Sequence, residues 1–368
     1  MTDSMKPVSP LAIAGVSIAI ASLQLAYSVF RLIPRNDRIV FLSRQSAKPT
    51  SDILALQNEL AGTLPGTRTV VLARKMQSDF DLGYAAHLIR QAWHLAHSTR
   101  IVIDSYSFLT SNLRLASGTR VTQMWHAIGS FKRFGWDATT EANPRRRQLA
   151  KALKMHAGNT TVVTSSRASV PHFASAFGVE VESVAVCPLP RVDSLRDKPR
   201  RSATRDRILT THTEWRNRKI VLFAPTLNSS LAGSDFLAAL RATVSPLGYE
   251  LVTSFHPVTH GTQWGFSTSE LLAVADVFLT DQSSMIFEAG LTELPGFVWC
   301  PVEDQSAMFA ESYPTAEELS ALIVASHDDL GVALSDANRR NAAKEFAARY
   351  VDVDDSQSCA NRLARLIS

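Results

Sequence analysis

The chain has 368 residues, of which 45% are hydrophobic and 20% charged, a balance typical of a folded protein rather than a disordered one. The length exceeds what one packed domain usually contains and therefore predicts two lobes. The net charge of +4 favours anionic partners such as phosphates or acidic lipids, and it is too small for a dedicated nucleic-acid binder. The three cysteines show neither a metal-ligand spacing nor a disulfide pattern, so the folded part is expected in a reducing compartment.

The first predicted element is a helix over Leu11–Phe30, a run of twenty residues without a charge. About 20 apolar residues span the hydrocarbon core of a bilayer, and the run is long for a cleaved signal peptide. Polar side chains recur on one side of this helix, at Ser17, Gln24, Ser28, Arg31 and Arg35. The pattern predicts membrane contact, either in the bilayer plane or as a span, with a buried core helix as the alternative. For a span, the arginines place the remaining chain on the cytoplasmic side.

Short apolar runs alternate with helical patterns after residue 37. In the first half, strands are predicted at Arg38–Leu42, Thr69–Leu72, Ile101–Asp104, Val121–Trp125, Thr160–Thr164 and Val184–Val186. A basic, polar stretch at Asp197–Arg218 interrupts the alternation. It resumes with strands at Ile220–Phe223, Glu250–Ser254, Val277–Thr280 and Gly296–Trp299. This order of elements favours parallel sheets covered by helices.

The alternation and its interruption predict the domain organisation. A membrane-associating helix is expected at 8–34, a Rossmann-like first lobe at 36–198 and a Rossmann-like second lobe at 205–345. A C-terminal helix at 346–368 is expected to pack back toward the first lobe.

The segment MWHAIGSFKRFG, Met124–Gly135, places a histidine where a predicted strand ends. Ligands of open α/β sheets bind beyond the carboxyl ends of the strands, and histidine accepts a hydroxyl proton readily near neutral pH. His126 is therefore a candidate general base, and Lys132 a candidate partner for phosphate. A structural histidine is the alternative at such a position.

Three further segments end predicted strands in the second half of the chain. SFHP, Ser254–Pro257, offers His256 as a hydrogen-bond donor to phosphate, or as a histidine that merely caps a turn. FAPTLN, Phe223–Asn228, ends its strand in a polar turn that contains Thr226.

The last of these segments is ADVFLTDQSSMIFEAGL, Ala275–Leu291. It runs from a strand through Asp281 into a predicted helix that begins at Ser283 and Ser284, where free backbone N–H groups favour anions. Glu288, one turn later, is a candidate for ribose hydroxyls. The alternative is an ordinary serine N-cap.

The sequence lacks the glycine-rich nucleotide-binding loops, the G-x-S-x-G nucleophile motif, the H-E-x-x-H zinc motif and a D-x-D pair. No metal and no cofactor are therefore predicted, and the chemistry is expected to depend on histidines, basic side chains and backbone N–H groups.

Taken in order, these segments resemble the CDP-glycerol:poly(glycerophosphate) glycerophosphotransferases of teichoic-acid synthesis. The resemblance runs from about Arg38 to Trp299. Besides WHAIGSFKRFG, similar to the family's W-H-A-x-G-x-x-K-x-x-G, it includes RIVFLSRQS, HLIRQAWHLAHSTRIVIDSY, FASAFGV, PRVDSL, FAPT, HP and TDQSS. It implies a GT-B fold, two Rossmann-like lobes facing a cleft with the donor nucleotide on the C-terminal lobe.

The resemblance also implies roles for individual residues. His126 matches the proposed general base for the acceptor hydroxyl, and His256 the histidine that contacts the donor phosphates. Donor or phosphate contacts are further expected from Thr226, Asp281, Ser283, Ser284, Glu288, Lys132 and Arg191. The implied reaction transfers glycerophosphate from CDP-glycerol, or a related CDP-polyol, to an undecaprenyl-diphosphate-linked acceptor and releases CMP. The implied location is the cytoplasmic face of the cell membrane.

The chain departs from the family pattern around the donor. Ser254 stands where many members have a basic residue, Gln282 where many have tyrosine, and Leu227 and Asn228 where a bulkier or basic pair follows. These departures leave the donor alcohol open between glycerol, ribitol and others. Two other classes also stay open, namely a GT-B glycosyltransferase that uses a nucleotide sugar and a non-catalytic membrane-associated relative.

Overall fold

The computed structural model describes residues 9–36, 38–75, 82–139, 144–227, 229–255 and 263–368. The chain forms two compact units, each built around its own parallel sheet. The first unit comprises Met1–His126, Phe134–Arg191 and Val353–Ser368, and the second comprises Ala127–Arg133 and Val192–Asp352. The short segment after His126 and the polar stretch after residue 191 thus belong to the second unit, whereas the sequence analysis placed both before its expected start at 205.

The first unit contains a six-stranded sheet of order β2-β1-β3-β4-β5-β6. Its strands are β1 Arg38–Ser43, β2 Arg68–Ala73, β3 Arg100–Ile103, β4 Arg120–Gln123, β5 Thr161–Thr164 and β6 Val184–Val186. Its helices are α1 Pro10–Phe30, α2 Ser51–Thr63, α3 Leu82–Ala96, α4 Phe108–Asn112, α5 Pro144–Ala152 and α6 Val170–Phe177. α7, Arg191–Arg196, begins at the last residue of this stretch and continues in the second unit. Every pairing is parallel, which confirms the predicted α/β class.

The burial of β1 explains why the strands of this sheet appear in the sequence as uninterrupted apolar runs. All six of its residues are buried, because strands lie on both sides of it and helices cover both faces. Val40 and Leu42 pack with Ile101 and Ile103 of β3 and with Leu88 of α3 in one core cluster. The carboxyl ends of β1, β3 and β4 consequently form a rigid edge of the sheet.

The first helix is the single one, among the described residues, that is long and apolar enough to cross a membrane. The window Ile13–Phe30 has a mean hydropathy of 1.8, and only 6% of it is buried. Near its C-terminal end, Leu23 and Tyr27 join the core cluster of the first unit, where α1 packs against α3.

The second unit contains a five-stranded sheet of order β11-β10-β9-β7-β8. Its strands are β7 Lys219–Phe223, β8 Tyr249–Thr253, β9 Val277–Thr280, β10 Gly296–Trp299 and β11 Ile323–Val324. Its helices are α8 Lys198–Thr211, α9 Ser234–Val244, α10 Thr268–Leu271, α11 Met285–Leu291, α12 Val302–Glu311, α13 Ala316–Leu319, α14 His327–Ser335 and α15 Ala337–Tyr350.

The C-terminal region consists of two helices rather than one. α15 packs on α11 in the second unit, and α16, Cys359–Ile367, packs on α2 in the first. Asn361 donates to the carboxylate of Glu59 at 3.2 Å, and Arg362 donates to the carbonyl of Val186 at 3.1 Å. The final helix therefore closes the first unit, although it begins later than the expected residue 346.

Candidate functional site

His126 is the third residue beyond the carboxyl end of β4, where the chain turns sharply out of the sheet. β4 ends at Gln123, and Trp125 then takes a left-handed backbone conformation with φ of 59°. The side chain of Gln123 is fully buried, accepts from the Trp125 N–H at 2.9 Å and donates to the Ser105 carbonyl at 3.1 Å. These two hydrogen bonds hold Trp125 in a backbone conformation that bulky residues rarely adopt.

The orientation of the His126 ring defines its tautomer. Nδ1 lies 3.0 Å from the backbone carbonyl oxygen of Asp104, at the end of β3. A carbonyl oxygen only accepts, so Nδ1 carries the proton and Nε2 carries the lone pair. The amide nitrogen Nε2 of Gln45, just after β1, lies 3.1 Å from the same Nδ1. Exchanging the Gln45 nitrogen and oxygen by a 180° rotation of the amide turns this group into a second acceptor for that proton.

The surroundings keep His126 neutral. Burial is the largest influence and lowers the pKa of the imidazole below 6.5, and the positive charge of Arg191 lowers it further. The carbonyl of Asp104 opposes them by favouring the protonated ring. The net shift is downward, so near pH 7 the ring offers an unprotonated Nε2, as a general base requires.

Arg191 begins α7 and has a partner that the sequence analysis did not anticipate. Its Nε donates to Oδ2 of Asp52 at 2.8 Å, and its backbone N–H donates to Oδ1 of the same carboxylate at 2.8 Å. The Asp52 side chain is 1% exposed. Arg191, expected on phosphate, is thus held by a buried carboxylate within the first unit.

Two glycines of WHAIGSFKRFG are required by the backbone. Gly129 has φ of 67°, and a Cβ on it would lie 2.9 Å from the ring of Phe287 in the second unit, to which Gly129 also belongs. Gly135 has φ of 56°, and its Cβ would lie 2.1 Å from the carbonyl oxygen of Ala176 in the first unit. Both positions exclude a side chain, which accounts for the glycine spacing of the motif.

The second unit contains a pocket of about 360 Å³ at the ends of β7, β9 and β10, within the size range of small-molecule sites. Four of its lining residues come from the polar segments of the sequence analysis: Lys132, Thr226, Asp281 and Gln282. The remaining lining residues are Ser229, Leu231, Trp299, Cys300, Pro301, Asp304, Ala307, Met308 and Glu311.

Thr226 and Asp281 are in contact just beyond the carboxyl ends of the neighbouring strands β7 and β9. The backbone N–H of Thr226 donates to Oδ1 of Asp281 at 2.9 Å, and its hydroxyl donates to Oδ2 at 2.7 Å. These two hydrogen bonds join the FAPT turn to the TDQSS turn. Gln282 extends the link, because its Nε2 donates to the Ser312 hydroxyl at 2.8 Å.

Lys132 is the one cationic side chain among the described residues that line the pocket. Its Nζ lies 3.1 Å from Oε2 of Glu311, and Asp281 and Asp304 add two more carboxylates. The lining is therefore net acidic, which suits hydroxyl and amino groups better than phosphate oxygens.

The other predicted donor residues lie outside this lining. Ser284 is the N-cap of α11 and makes no side-chain capping bond, and the Ser283 hydroxyl accepts from the Met285 N–H at 3.3 Å. Glu288 is 5% exposed and accepts a hydrogen bond from the Ser269 hydroxyl. His256 lies outside the described residues. Within the described part of the chain, no group of three or more His, Cys, Asp or Glu side chains is placed to hold a metal ion.

Sequence reasoning did not identify the residues that orient His126. Asp104 contributes its backbone carbonyl, which any residue type has, and the sequence pattern therefore holds no signal for it. Gln45 and Gln123 do carry a weak signal, as uncharged polar residues that lie shortly after one predicted apolar strand and within another. Asp52 carries none, since an acidic residue in the first turn of a helix is common.

The chain is similar in sequence to proteins of known activity. The model of the family described as CDP-Glycerol:Poly(glycerophosphate) glycerophosphotransferase matches residues 25–257. The teichoic acid ribitol-phosphate primase of Bacillus spizizenii is 25% identical, with 92% of each chain covered. The teichoic acid glycerol-phosphate primase of Bacillus subtilis is 25% identical over 57% of this chain and 57% of its own length.

Solved structures agree on the fold. The wall teichoic acid polymerase TagF superposes with a TM-score of 0.70 at 16% identity, covering 98% of both chains. The UDP-GlcNAc 2-epimerase of Neisseria meningitidis has a TM-score of 0.54 at 9% identity, covering 90% of this chain and 98% of its own. The predicted GT-B class, two α/β lobes preceded by an apolar helix, is confirmed.

Proposed function

Because the chain belongs to the CDP-glycerol:poly(glycerophosphate) glycerophosphotransferase family, we propose that it transfers a polyol phosphate from a CDP-linked donor to a hydroxyl of a lipid-linked acceptor. The relatives that match it are primases and polymerases of teichoic-acid synthesis, which supports the same pathway for this protein. The proposed donor is CDP-glycerol, and the proposed acceptor is an undecaprenyl-diphosphate-linked saccharide or polymer.

The observation that carries the proposal is the hydrogen bond between His126 Nδ1 and the Asp104 carbonyl. It leaves Nε2 unprotonated, so that this atom accepts the proton of the acceptor hydroxyl. The hydroxyl oxygen then forms a bond to the phosphorus that carries the polyol. The bond from that phosphorus to the bridging oxygen breaks, and CMP leaves with that oxygen. Positioning provides most of the rate in such transfers, and a general base adds about 10²–10⁴-fold.

The pocket of the second unit is proposed to hold the nucleoside end of the donor. Its wall includes Trp299, Pro301 and Met308, which suit a planar base. Its carboxylates, Asp304 and Glu311, suit the hydroxyl groups of ribose and the amino group of cytosine. The donor phosphates are assigned to the adjoining Ser283 and Ser284, with Lys132 at the pocket rim. His256, which lies outside the described residues, is assigned to the phosphates on the family resemblance alone. Glu288 is left out of this assignment because it is buried.

Ribitol is the second candidate for the donor alcohol. Ribitol is favoured by the length of the matched region. The ribitol-phosphate primase matches over 92% of both chains, whereas the glycerol-phosphate primase matches over 57% of both. The family name and a TagF structure soaked with CDPG favour glycerol. The apolar first helix supports a place at the cytoplasmic face of the cell membrane, where a lipid-linked acceptor is reached.

The test is CMP release by purified full-length protein, with CDP-glycerol, CDP-ribitol or UDP-GlcNAc as donor and a lipid-linked disaccharide as acceptor. We expect acceptor-dependent release with one CDP-polyol and a fall of about 10²–10⁴-fold in kcat for His126→Asn. His172→Asn, on a half-exposed position of α6, is the matched control and is expected to retain activity.

Each alternative predicts a different outcome. Turnover of UDP-GlcNAc without turnover of a CDP-polyol would identify a glycosyltransferase. Inactivity with every donor and acceptor tried would favour the non-catalytic relative. An equal rate for His126→Asn and the wild type would remove the general base from the mechanism and leave the donor assignment intact.

A further inference from the structure

The first unit has a cavity of its own at the carboxyl ends of β1, β2 and β3, beside α3. Its enclosed part is about 10 Å³, room for one water molecule, and the buried polar side chains of Gln91, Ser105 and Ser107 contribute to its floor. Arg44 and Arg74 also line the cavity but are half-exposed, so they lie at its rim. A ligand larger than water therefore binds at this rim rather than inside.

The rim is positively charged. Among the described residues that line the cavity, Arg44 and Arg74 are cationic and none is a carboxylate. The pocket of the second unit has the opposite balance, with three carboxylates around Lys132. Guanidinium groups bind phosphate oxygens through paired N–H donors, so the rim suits a phosphate group.

Each guanidinium group is held by an aromatic ring and a backbone carbonyl. Arg44 lies over the ring of Tyr106, 5.5 Å from its centroid, and donates to the Tyr106 carbonyl at 3.1 Å. Arg74 lies over the ring of Tyr84, 6.0 Å from its centroid, and donates to the Gly83 carbonyl at 2.9 Å. Because the two charges are positioned in advance, binding an anion costs less side-chain entropy.

His87, which also lines the cavity, is sensitive to these charges. Burial is the largest influence that lowers the pKa of its imidazole, and the charges of Arg74 and Arg90 lower it further. The side-chain nitrogen of Gln91 donates to its Nε2 at 2.9 Å, which fits a neutral ring. An anion bound at the rim would offset the arginine charges and raise this pKa.

The cavity adjoins the residues that orient the general base. Arg44 precedes Gln45, whose amide nitrogen lies 3.1 Å from Nδ1 of His126. Ser105 follows Asp104, whose carbonyl accepts from the same Nδ1. Since the donor is assigned to the second unit, a phosphate at this rim belongs to the molecule whose hydroxyl reaches His126, which is the acceptor.

We propose that Arg44 and Arg74 bind a phosphate group of the acceptor, close to its reacting hydroxyl. The enzyme then prefers an acceptor that already ends in a polyol phosphate to one that ends in a neutral saccharide. The inference rests on the proposed function and names the acceptor class that this function leaves open.

The first experiment compares CMP release by the full-length protein with two lipid-linked disaccharides, one bare and one that carries a single glycerol phosphate. For the wild type we expect kcat/KM to be at least tenfold higher with the second acceptor. Arg44→Gln and Arg74→Gln should each lower kcat/KM for that acceptor about tenfold, with the KM of the donor unchanged. Arg44→Lys should restore part of the loss, because it keeps the charge without the planar pair of donors.

Arg90→Gln is the matched control. Arg90 is exposed on α3 and also lowers the pKa of His87, but it is not among the residues that line the cavity. Its loss should change kcat/KM by less than twofold for either acceptor. Equal kcat/KM of the wild type for the two acceptors would overturn the proposal, as would equal losses on both acceptors in Arg44→Gln and Arg74→Gln.

The second experiment does not depend on turnover. The pKa of His87 is followed by NMR of the full-length protein with labelled histidine, and its signal is assigned by its loss in His87→Asn. Glycerol 3-phosphate should raise this pKa, whereas glycerol, the neutral probe, should leave it unchanged. The double variant Arg44→Gln/Arg74→Gln should abolish the response.

The two experiments separate the phosphate site from the reaction. A pKa of His87 that does not respond to glycerol 3-phosphate would overturn the site even where CMP is released. A response without CMP release from any acceptor would support the site and count against the proposed transfer.

Discussion

The two units present polar groups at the carboxyl ends of parallel strands in different ways. In the first unit, one imidazole is held by a backbone carbonyl, and its orientation, tautomer and neutrality are all determined before any substrate arrives. In the second unit, an open pocket presents several side chains whose carboxylates already have protein partners. The difference indicates that the first unit is built to fix one reacting group, and the second to offer a binding surface. Changes in the first should lower kcat, and changes in the second should raise the KM of the donor.

The largest effect is expected from breaking the Asp52–Arg191 pair of the first unit. Arg191→Gln removes the two charge-assisted hydrogen bonds that Nε and Nη2 donate to Oδ2 of Asp52, and it leaves that carboxylate buried without its cation. We expect the free energy of unfolding to fall by about 3–5 kcal/mol, measured by urea denaturation at pH 7.5. Arg196→Gln, an exposed position on the same helix, should change it by less than about 0.5 kcal/mol. Similar losses in the two variants would mean that the buried pair has no special role.

The second prediction concerns the pH dependence of the first unit. His156 is 3% exposed among the rings of Tyr106, Trp125 and Phe177, and burial lowers its pKa from 6.5 to about 4. The unfolded chain therefore binds the proton more tightly than the folded one. The stabilisation is complete above pH 6.5 and is lost as the pH falls from 6.5 to 4, by about 3 kcal/mol for this residue.

His156→Asn tests this directly, because asparagine tolerates the left-handed φ of 62° at this position and does not titrate. Urea denaturation at pH 7.5 and at pH 4.5 should show a smaller difference in the variant than in the wild type. Some acid sensitivity should persist, since burial also lowers the pKa of His94 to about 4. A difference as large in His156→Asn as in the wild type would assign the acid sensitivity to other groups.

The fold followed from the sequence because its strands read as apolar runs of the right length. β6 lies where the pattern predicts it, and β1 extends only one residue beyond the prediction. β11 was missed, since two residues are too few to form a pattern. The C-terminal helix expected at 346–368 begins only at Cys359, because non-helical residues precede it where the chain passes from the second unit to the first.

The site was predictable where strand ends bring residues together and was not where the partners are distant in sequence. Thr226 and Asp281 follow adjacent strands, β7 and β9, so their meeting follows from sheet order. Asp52 and Arg191 are separated by 139 residues, and no local rule pairs them. Every residue type has a backbone carbonyl, so the sequence does not indicate that the carbonyl of Asp104 accepts from His126. Only the structure shows this hydrogen bond.

The third prediction addresses the pocket of the second unit. Asp281→Asn replaces an acceptor of two hydrogen bonds by an amide, one end of which repels the Thr226 donors. The turn that borders the pocket should loosen, and we expect the KM of the donor to rise about tenfold with kcat changed by less than twofold. Glu303→Gln, exposed on α12 and outside the pocket lining, should leave both constants unchanged. A fall in kcat at constant KM would contradict the assignment of donor binding to the second unit and of the reacting group to the first.

The smallest effect is expected for Gln45→Ala, and it distinguishes the two groups that lie near Nδ1 of His126. If the Asp104 carbonyl alone fixes the tautomer, removing the amide costs at most about 1 kcal/mol, or about fivefold in kcat. The kcat/KM of wild type and variant should both be level near pH 8 and fall on the acidic side. The reason is that the pKa of His126 lies below 6.5 and its protonation removes the base. An acidic limb that moves above pH 6.5 in Gln45→Ala would show that the amide, through the burial it provides, keeps the imidazole neutral. The backbone carbonyl would then orient the ring without determining its charge.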